Sequence, residues 1–188
     1  MKRSPLISSL LIASLSLTLA APAAIAADAL KCSYGDYDKL GRALETRDGQ
    51  KPIVYTEDRT PVYRLTRFVV EGTSAEDWVE AMEILNTMRH DEPPTVAEWY
   101  QRYHEHGDAS CKSEWNVLGQ SESWLMFERK SGECPPHASQ QAIYKIMYGK
   151  KQAWLLIGTR KGTMDEATRS GWLAVMESAS VGPSSAKP

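Results

Sequence analysis

The stretch QAIYKIMYGKKQAWLLIGTR, residues 141–160, decides the fold. Two runs rich in apolar, aromatic and β-branched residues, 142–148 and 153–160, flank the turn sequence Gly149-Lys150-Lys151-Gln152. This order is typical of a β-hairpin. Because Leu155, Leu156 and Ile157 are consecutive apolar residues, the second strand is predicted to be covered on both faces.

Further strands are predicted on both sides of the two helices that precede this hairpin. Trp115–Leu118 and Trp124–Arg129 flank the turn-forming sequence Gly119-Gln120-Ser121-Glu122, which predicts a second hairpin. Ile53–Glu57 and Val62–Glu71 have the β-branched and aromatic composition of strands. We therefore expect an antiparallel sheet of about five to six strands.

Three capping boxes predict where helices begin. In each, a Thr is followed three residues later by a Glu, as the pairs Thr73/Glu76, Thr95/Glu98 and Thr163/Glu166. In such a box the Thr side chain and the Glu side chain each accept a bond from a backbone N–H of the first turn. Apolar residues at helical spacing follow each box, and the second helix is expected to end near Gly107. Three helices packed on the sheet predict an α+β fold.

The N-terminus predicts export. Lys2 and Arg3 precede an apolar stretch over residues 6–21, and Ala24-Ile25-Ala26 follows it. These are the three parts of a cleavable secretory signal, here residues 1–26, and the alternative is an uncleaved anchor. Cleavage after Ala26 leaves 162 of the 188 residues. We expect a periplasmic or secreted protein with no transmembrane anchor after cleavage.

The mature chain is expected to form one domain over residues 27–179, with an irregular lead-in at 27–52. Residues 180–188 are rich in Gly, Pro, Ser and Ala and predict a disordered tail. The signal holds two of the 22 basic residues and no acidic one, so 20 bases face 24 acids and the mature net charge is −4. Without a basic run, this charge argues against nucleic acid or anionic lipid as the main partner.

The mature chain keeps three cysteines, so one disulfide leaves one thiol over. The midpoint between Cys111 and Cys134 falls between Glu122 and Ser123, close to the predicted hairpin turn. An antiparallel hairpin centred there brings the two cysteines to bridging distance. A Cys111–Cys134 disulfide is therefore favoured, while pairings with Cys32 stay open. If Cys32 is unpaired within the chain, it is expected to be a buried residue, and the alternatives are an intermolecular bridge or a reactive thiol.

The densest group of metal-ligand residue types is His104-Glu105-His106-Gly107-Asp108. Zinc prefers His and carboxylate ligands, but residues two apart do not share a helical face. A polar helix end is therefore favoured, and His104, His106 and Asp108 are only low-ranking metal candidates. The loop Gly158–Thr163 resembles an anion cradle before a helix N-terminus, although a solvated loop is the favoured interpretation.

The element order resembles the PsbP-like α+β fold. A leading strand ends in Glu71-Gly72, a predicted helix begins with Glu76-Asp77-Trp78, and strands and a closing helix follow. The resemblance covers roughly residues 53–179. It implies a non-enzymatic accessory role and carries no catalytic residues to this chain.

The sequence therefore predicts an exported, non-catalytic binding or interaction module that needs no cofactor. Its partner is expected to be a protein or small ligand of the cell envelope, and its oligomeric state stays open. One alternative is an envelope inhibitor or immunity-type protein that occludes an enzyme. A less favoured alternative is a small metal-dependent hydrolase with His104, His106, Asp108 and Cys32 around one pocket.

Overall fold

A computed structural model describes residues 28–34, 37–60, 63–88, 95–135, 138–149 and 152–183. The predicted signal, residues 1–26, lies outside the described residues, as do the last five residues of the predicted tail. Within the described ranges the elements are, in chain order, β1 (Asp28–Lys31), α1 (Asp38–Leu44), β2 (Val54–Thr60), β3 (Tyr63–Gly72), β4 (Trp78–Met88), α2 (Val96–Ser110), β5 (Lys112–Gln120), β6 (Trp124–Glu133), β7 (Gln141–Tyr148), β8 (Gln152–Arg160), α3 (Glu166–Ser178) and β9 (Ser180–Pro183).

The main sheet has seven antiparallel strands in the order β2-β3-β4-β8-β7-β6-β5. The α+β class is confirmed, but this sheet is larger than the five to six strands expected. The predicted hairpin of residues 141–160 forms its centre as β7 and β8. Leu155 and Leu156 on β8 are 2% and 0% exposed although they point to opposite faces, so both faces of this strand are covered.

Helices cover the sheet on both sides. On one face, called here the α3 face, Trp172, Val175 and Met176 of α3 pack with Ile143 and Leu156 of the sheet. The short helix α1 also packs there, against β3. On the opposite α2 face, aromatic residues of α2 and of the sheet pack together, namely Trp99, Tyr100, Tyr103, Trp115, Phe127 and Tyr144. The sequence encodes both layers as apolar stripes.

The prediction of a helix after the Thr73/Glu76 box is wrong. The segment that follows the box forms strand β4, between β3 and β8. Met82 belongs to the core of the α3 face, whereas its neighbour Ala81 is buried on the other side of the strand. A strand covered on both sides buries adjacent residues, and the resulting apolar run also fits helical spacing. Thr73 instead donates its hydroxyl to the Asp77 carboxylate at 2.6 Å, within the turn before β4.

Helix α2 begins with the predicted capping box. The Thr95 hydroxyl accepts a bond from Glu98 N–H at 3.2 Å, and the Glu98 carboxylate accepts one from Thr95 N–H at 2.6 Å. The helix does not end near Gly107 as expected but continues to Ser110. Gly107 is selected for packing instead, because a Cβ there would lie 2.5 Å from the Trp115 ring. The missing side chain lets the helix approach the sheet closely.

Helix α3 begins near the predicted position but without the predicted box. Its N-cap is Asp165, whose carboxylate accepts a bond from Thr168 N–H at 2.7 Å. The predicted pair, Thr163 and Glu166, therefore does not cap this helix. Asp165 accepts a bond from the N–H of the third helical residue, which is the bond that an N-cap Thr also makes.

Both ends of the described chain have regular structure that the sequence did not predict. Strand β9, in the segment expected to be disordered, pairs with β1, in the lead-in expected to be irregular. The pair aligns Leu30 with Val181, and both side chains pack against the core of the α3 face. Burial of these two apolar side chains stabilises the packing of this short segment against the sheet. The disorder expected for Ser180–Pro183 is therefore wrong.

Cys111 and Cys134 lie at disulfide distance, as the hairpin predicted. Their Cα atoms are 5.0 Å apart and their sulfur atoms 2.11 Å apart. The pair closes the open end of the β5–β6 hairpin, where Lys112 stands opposite Glu133. Cys32 is an exposed free cysteine. Nearby atoms of the chain partly exclude water from its thiol, and this desolvation raises the thiol pKa. The raised pKa opposes formation of the reactive thiolate.

Removing the Cys111–Cys134 link should destabilise the domain. The cysteines are separated by 23 residues in sequence, and a link closing a loop of this size is worth about 3 kcal/mol. Urea unfolding of the Cys111→Ser/Cys134→Ser variant should give a free energy of unfolding lower by about that amount. Cys32→Ser is the matched control and should leave it unchanged. An equal loss in the control would contradict the assignment of the link.

Candidate functional site

A row of polar residues crosses the sheet on the α3 face. Each residue stands opposite the next on the neighbouring strand, in the order Glu71, Glu80, Arg160, Gln141, Lys130 and Glu114. Residues directly opposite each other project to the same face of a sheet. This polar row runs from β3 to the edge strand β5 and borders the start of α3. It consists of a buried part and an exposed part with different bonding.

The buried part is centred on Glu80, which is 0% exposed. Its carboxylate accepts hydrogen bonds from the Tyr37 hydroxyl, from Trp172 Nε1 at 2.9 Å and from an Arg160 guanidinium nitrogen at 2.6 Å. Burial and the bond to Glu80 raise the pKa of Tyr37 far above its ordinary value. The phenol therefore keeps its proton and remains a donor. Each donor comes from a different element, so one carboxylate joins the chain before α1 to β8 and α3.

Arg160 also connects the buried part to the protein surface. It donates to Glu71 at 3.0 Å, and Lys39 of α1 lies 3.7 Å from Glu71 and 3.8 Å from Glu80. The carboxylate of Glu71 is about half exposed, and the bond from Arg160 is the main cause that lowers its pKa. Two acids and two bases thus neutralise one another. The contacts attach α1 to the end of β3 and the start of β4.

Glu128, 2% exposed, forms a second buried carboxylate centre on the same face. It accepts two bonds of 3.0 Å from Arg169 of α3 and one of 2.8 Å from the Gln141 amide. Burial alone would raise the pKa of Glu128, but the bonds from Arg169 and Gln141 hold it below its ordinary value. The Gln141 carbonyl in turn accepts Met164 N–H at 2.8 Å. This network fixes the start of α3 to β6 and β7.

The predicted anion cradle at Gly158–Thr163 has its cations engaged by the protein itself. Arg160 binds Glu71 and Glu80, and the Lys161 ammonium donates to the Glu76 carbonyl at 3.3 Å. The same ammonium lies 4.7 Å from the centre of the Trp78 ring. Both cations of the predicted cradle are therefore already engaged by contacts within the protein.

The metal candidates do not converge. His104 and His106 are two residues apart on α2; His104 lies against Trp115, with ring centres 5.1 Å apart, whereas His106 is exposed. Asp108 belongs to the same helix, and its side chain lies outside the described residues. Among the side chains that are described, no three His, Cys, Asp or Glu residues form a group able to hold a metal ion.

A polar cleft opens where the polar row reaches β6 and β5. It has a volume of about 520 Å³, and Lys112, Glu114, Lys130, Gln141 and Thr163 contribute to its lining. This volume lies within the range of small-ligand sites, about 300–1,000 Å³. Gln141 connects the cleft floor to the Glu128 network, so the floor is held rigidly. The cleft depends on the register of strands distant in sequence, which the linear pattern does not reveal.

The edge of the cleft carries polar side chains that have no partner among the residues that the structure describes. Lys112, Glu114 and Asn116 alternate along β5 and are exposed. The side chain of none of the three forms a hydrogen bond or ion pair with another described residue. Lys130 stands opposite Glu114 but lies 3.9 Å from Glu128 instead. Sequence reasoning missed Lys112 and Glu114 because it began this strand at Trp115, after the alternating charges.

No protein-family model matches the chain, and no curated protein or solved structure is significantly similar to it. These comparisons lend no support to the PsbP-like resemblance, which stays a prediction. Within the described ranges, no helix combines the length and apolar character needed to cross a membrane.

Replacing Glu80 should destabilise the domain far more than replacing Glu71, although both bind Arg160. Glu80→Ala leaves buried donors without an acceptor, which costs about 3–5 kcal/mol, whereas an exposed pair such as Glu71–Arg160 is worth about 1 kcal/mol or less. Urea unfolding of both variants measures the difference. Equal losses would show that the buried carboxylate does not organise the fold.

Proposed function

We propose that this protein is an exported, non-catalytic binding module whose binding site is the polar cleft and the adjoining edge of β5. Its ligand is a protein or a small molecule of the cell envelope. The observation that carries this proposal is the set of exposed, unpartnered side chains on β5, namely Lys112, Glu114 and Asn116, beside a rigid cleft.

The bonding of the two buried carboxylates supports binding rather than acid–base catalysis. A general acid or base must come within hydrogen-bond reach of a substrate. Glu80 is 0% exposed and Glu128 is 2% exposed, and each already accepts three hydrogen bonds. They act as scaffold, and the groups free to meet a ligand are those on the cleft rim.

An inhibitor or immunity-type role is a specific form of this proposal. Charged groups on an exposed strand suit a protein surface, since charge complementarity sets specificity and association rate. In this form the captured partner is an envelope enzyme, and binding reduces its activity. A partner whose activity is unaffected favours a general interaction module instead.

Export predicts a processed chain. Intact-mass measurement of the protein purified from its native host should find a chain of 162 residues beginning at Ala27. Its mass should also be two hydrogens lower than that of the fully reduced chain, because Cys111 and Cys134 lie at disulfide distance. A mass that includes Met1, with all three cysteines in the thiol form, would contradict export.

Binding through the cleft predicts a partner that depends on β5. Crosslinked affinity purification from the native envelope should recover a partner with the wild-type protein. The variant Lys112→Ala/Glu114→Ala/Asn116→Ala should recover it at least about tenfold less, since truncation of central interface residues costs about 1–2 kcal/mol or more.

The matched control is Lys51→Ala/Tyr55→Ala, which changes exposed residues in and just before the opposite edge strand β2. It should retain the partner. If the β5 variant recovers the partner as well as the wild-type protein does, the binding site lies elsewhere. If the wild-type protein recovers no partner in a purification sensitive enough to detect minor envelope proteins, the binding function is contradicted.

A further inference from the structure

We infer that the ligand of this cleft is an extended segment of a partner protein, which pairs with β5 and carries an acidic and a basic side chain two residues apart. This inference rests on the proposed function and deepens it, because it names the chemistry and conformation of the ligand. Three features of β5 support it: the free edge of its backbone, the anchoring of its start and the order of its charges.

The backbone of β5 offers a pairing edge. β5 is the last strand of the sheet, and among the described residues no strand lies beyond it. Its register with β6 shifts between Lys112 and Ser113 and again between Val117 and Gly119, so residues 113–117 pair with β6 without interruption. The exposed side chains nevertheless alternate from Lys112 to Asn116. Free backbone groups on an edge strand can add an extended peptide as a further strand. The two register shifts limit regular pairing to about five residues, 113–117, with Lys112 directly before them.

The start of β5 is held in place before any ligand arrives. Cys111 immediately precedes the strand and lies at disulfide distance from Cys134. The buried Gly107 of α2 packs closely against Trp115 of the same strand. A site that needs no ordering loses less entropy on binding, which favours recognition of a flexible segment.

The charges on β5 indicate which segment fits. Lys112 and Glu114 project to the cleft face two residues apart, a spacing that matches alternate side chains of a paired strand. An acidic residue opposite Lys112 and a basic residue opposite Glu114 give two favourable cross-strand pairs. Asn116 continues the same face and accommodates a third polar residue. The cleft volume of about 520 Å³ leaves room for these side chains.

A small anion fits the cleft less well. Glu114 lines the same cleft as Lys112 and stands directly opposite Lys130. A lone anion placed near these two cations meets the Glu114 carboxylate as well. A segment carrying both signs of charge satisfies all the unpartnered groups at once, and this complementarity favours the peptide.

The test uses the processed, oxidised protein and a phage-displayed library of random twelve-residue peptides. Enriched peptides should carry an acidic and a basic residue two positions apart. A fluorescently labelled synthetic copy should bind in an anisotropy titration. The charge-swapped variant Lys112→Glu/Glu114→Lys should bind it about tenfold more weakly, since it replaces two attractive pairs with two repulsive ones. A peptide with its acid and base exchanged should regain that affinity on the swapped variant.

The Lys51→Ala/Tyr55→Ala variant is the control and should bind the original peptide normally. Failure to enrich peptides with the charge pattern, equal affinity for the swapped variant, or full displacement of the peptide by inorganic phosphate would each overturn the inference. If envelope capture depends on β5 while no peptide binds, the binding function stands and the extended ligand is wrong. If capture also fails, both proposals fail.

Discussion

The fold depends on one buried carboxylate, that of Glu80 near the start of β4. A charge in this position is costly unless it is fully hydrogen-bonded. Tyr37, Arg160 and Trp172 supply the bonds, and they lie 43, 80 and 92 residues from Glu80 in the sequence. The carboxylate therefore specifies how the chain before α1, the helix α3 and the strand β8 meet. Hydrophobic burial stabilises these layers, and Glu80 restricts them to one arrangement.

The polar row explains why the two ends of the sheet differ. Near β4 its members are buried and bind one another, so they contribute to structure. Towards β5 the row leaves the cover of α3, and Glu114 reaches solvent without a partner among the described residues. Between them, Gln141 and Glu128 connect the rigid part to the cleft floor. The same set of cross-strand positions thus provides both the scaffold and the surface proposed to bind.

Local sequence patterns predicted the hairpins, the cysteine pair and the start of α2, because each depends on residues close together in the chain. β4 was mistaken for a helix because a strand buried on both faces has no period-two alternation. Long-range register produces the polar row, and it places Glu80 opposite Arg160, 80 residues away. No spacing rule along the chain detects such a pair. Lys112 and Glu114 were missed for a simpler reason, because the strand was predicted to begin at Trp115 whereas β5 begins at Lys112.

The short ribbon of β1 and β9 has a consequence for how the chain is connected. Asp28 stands opposite Pro183, so the two ends of the described chain lie side by side. Neighbouring termini are the condition under which a chain tolerates circular permutation. A short linker would join the ends, and new termini could be opened at the exposed turn around Ser121–Ser123, away from the buried carboxylates. The order of the elements along the chain is therefore less important to this architecture than the contacts among them.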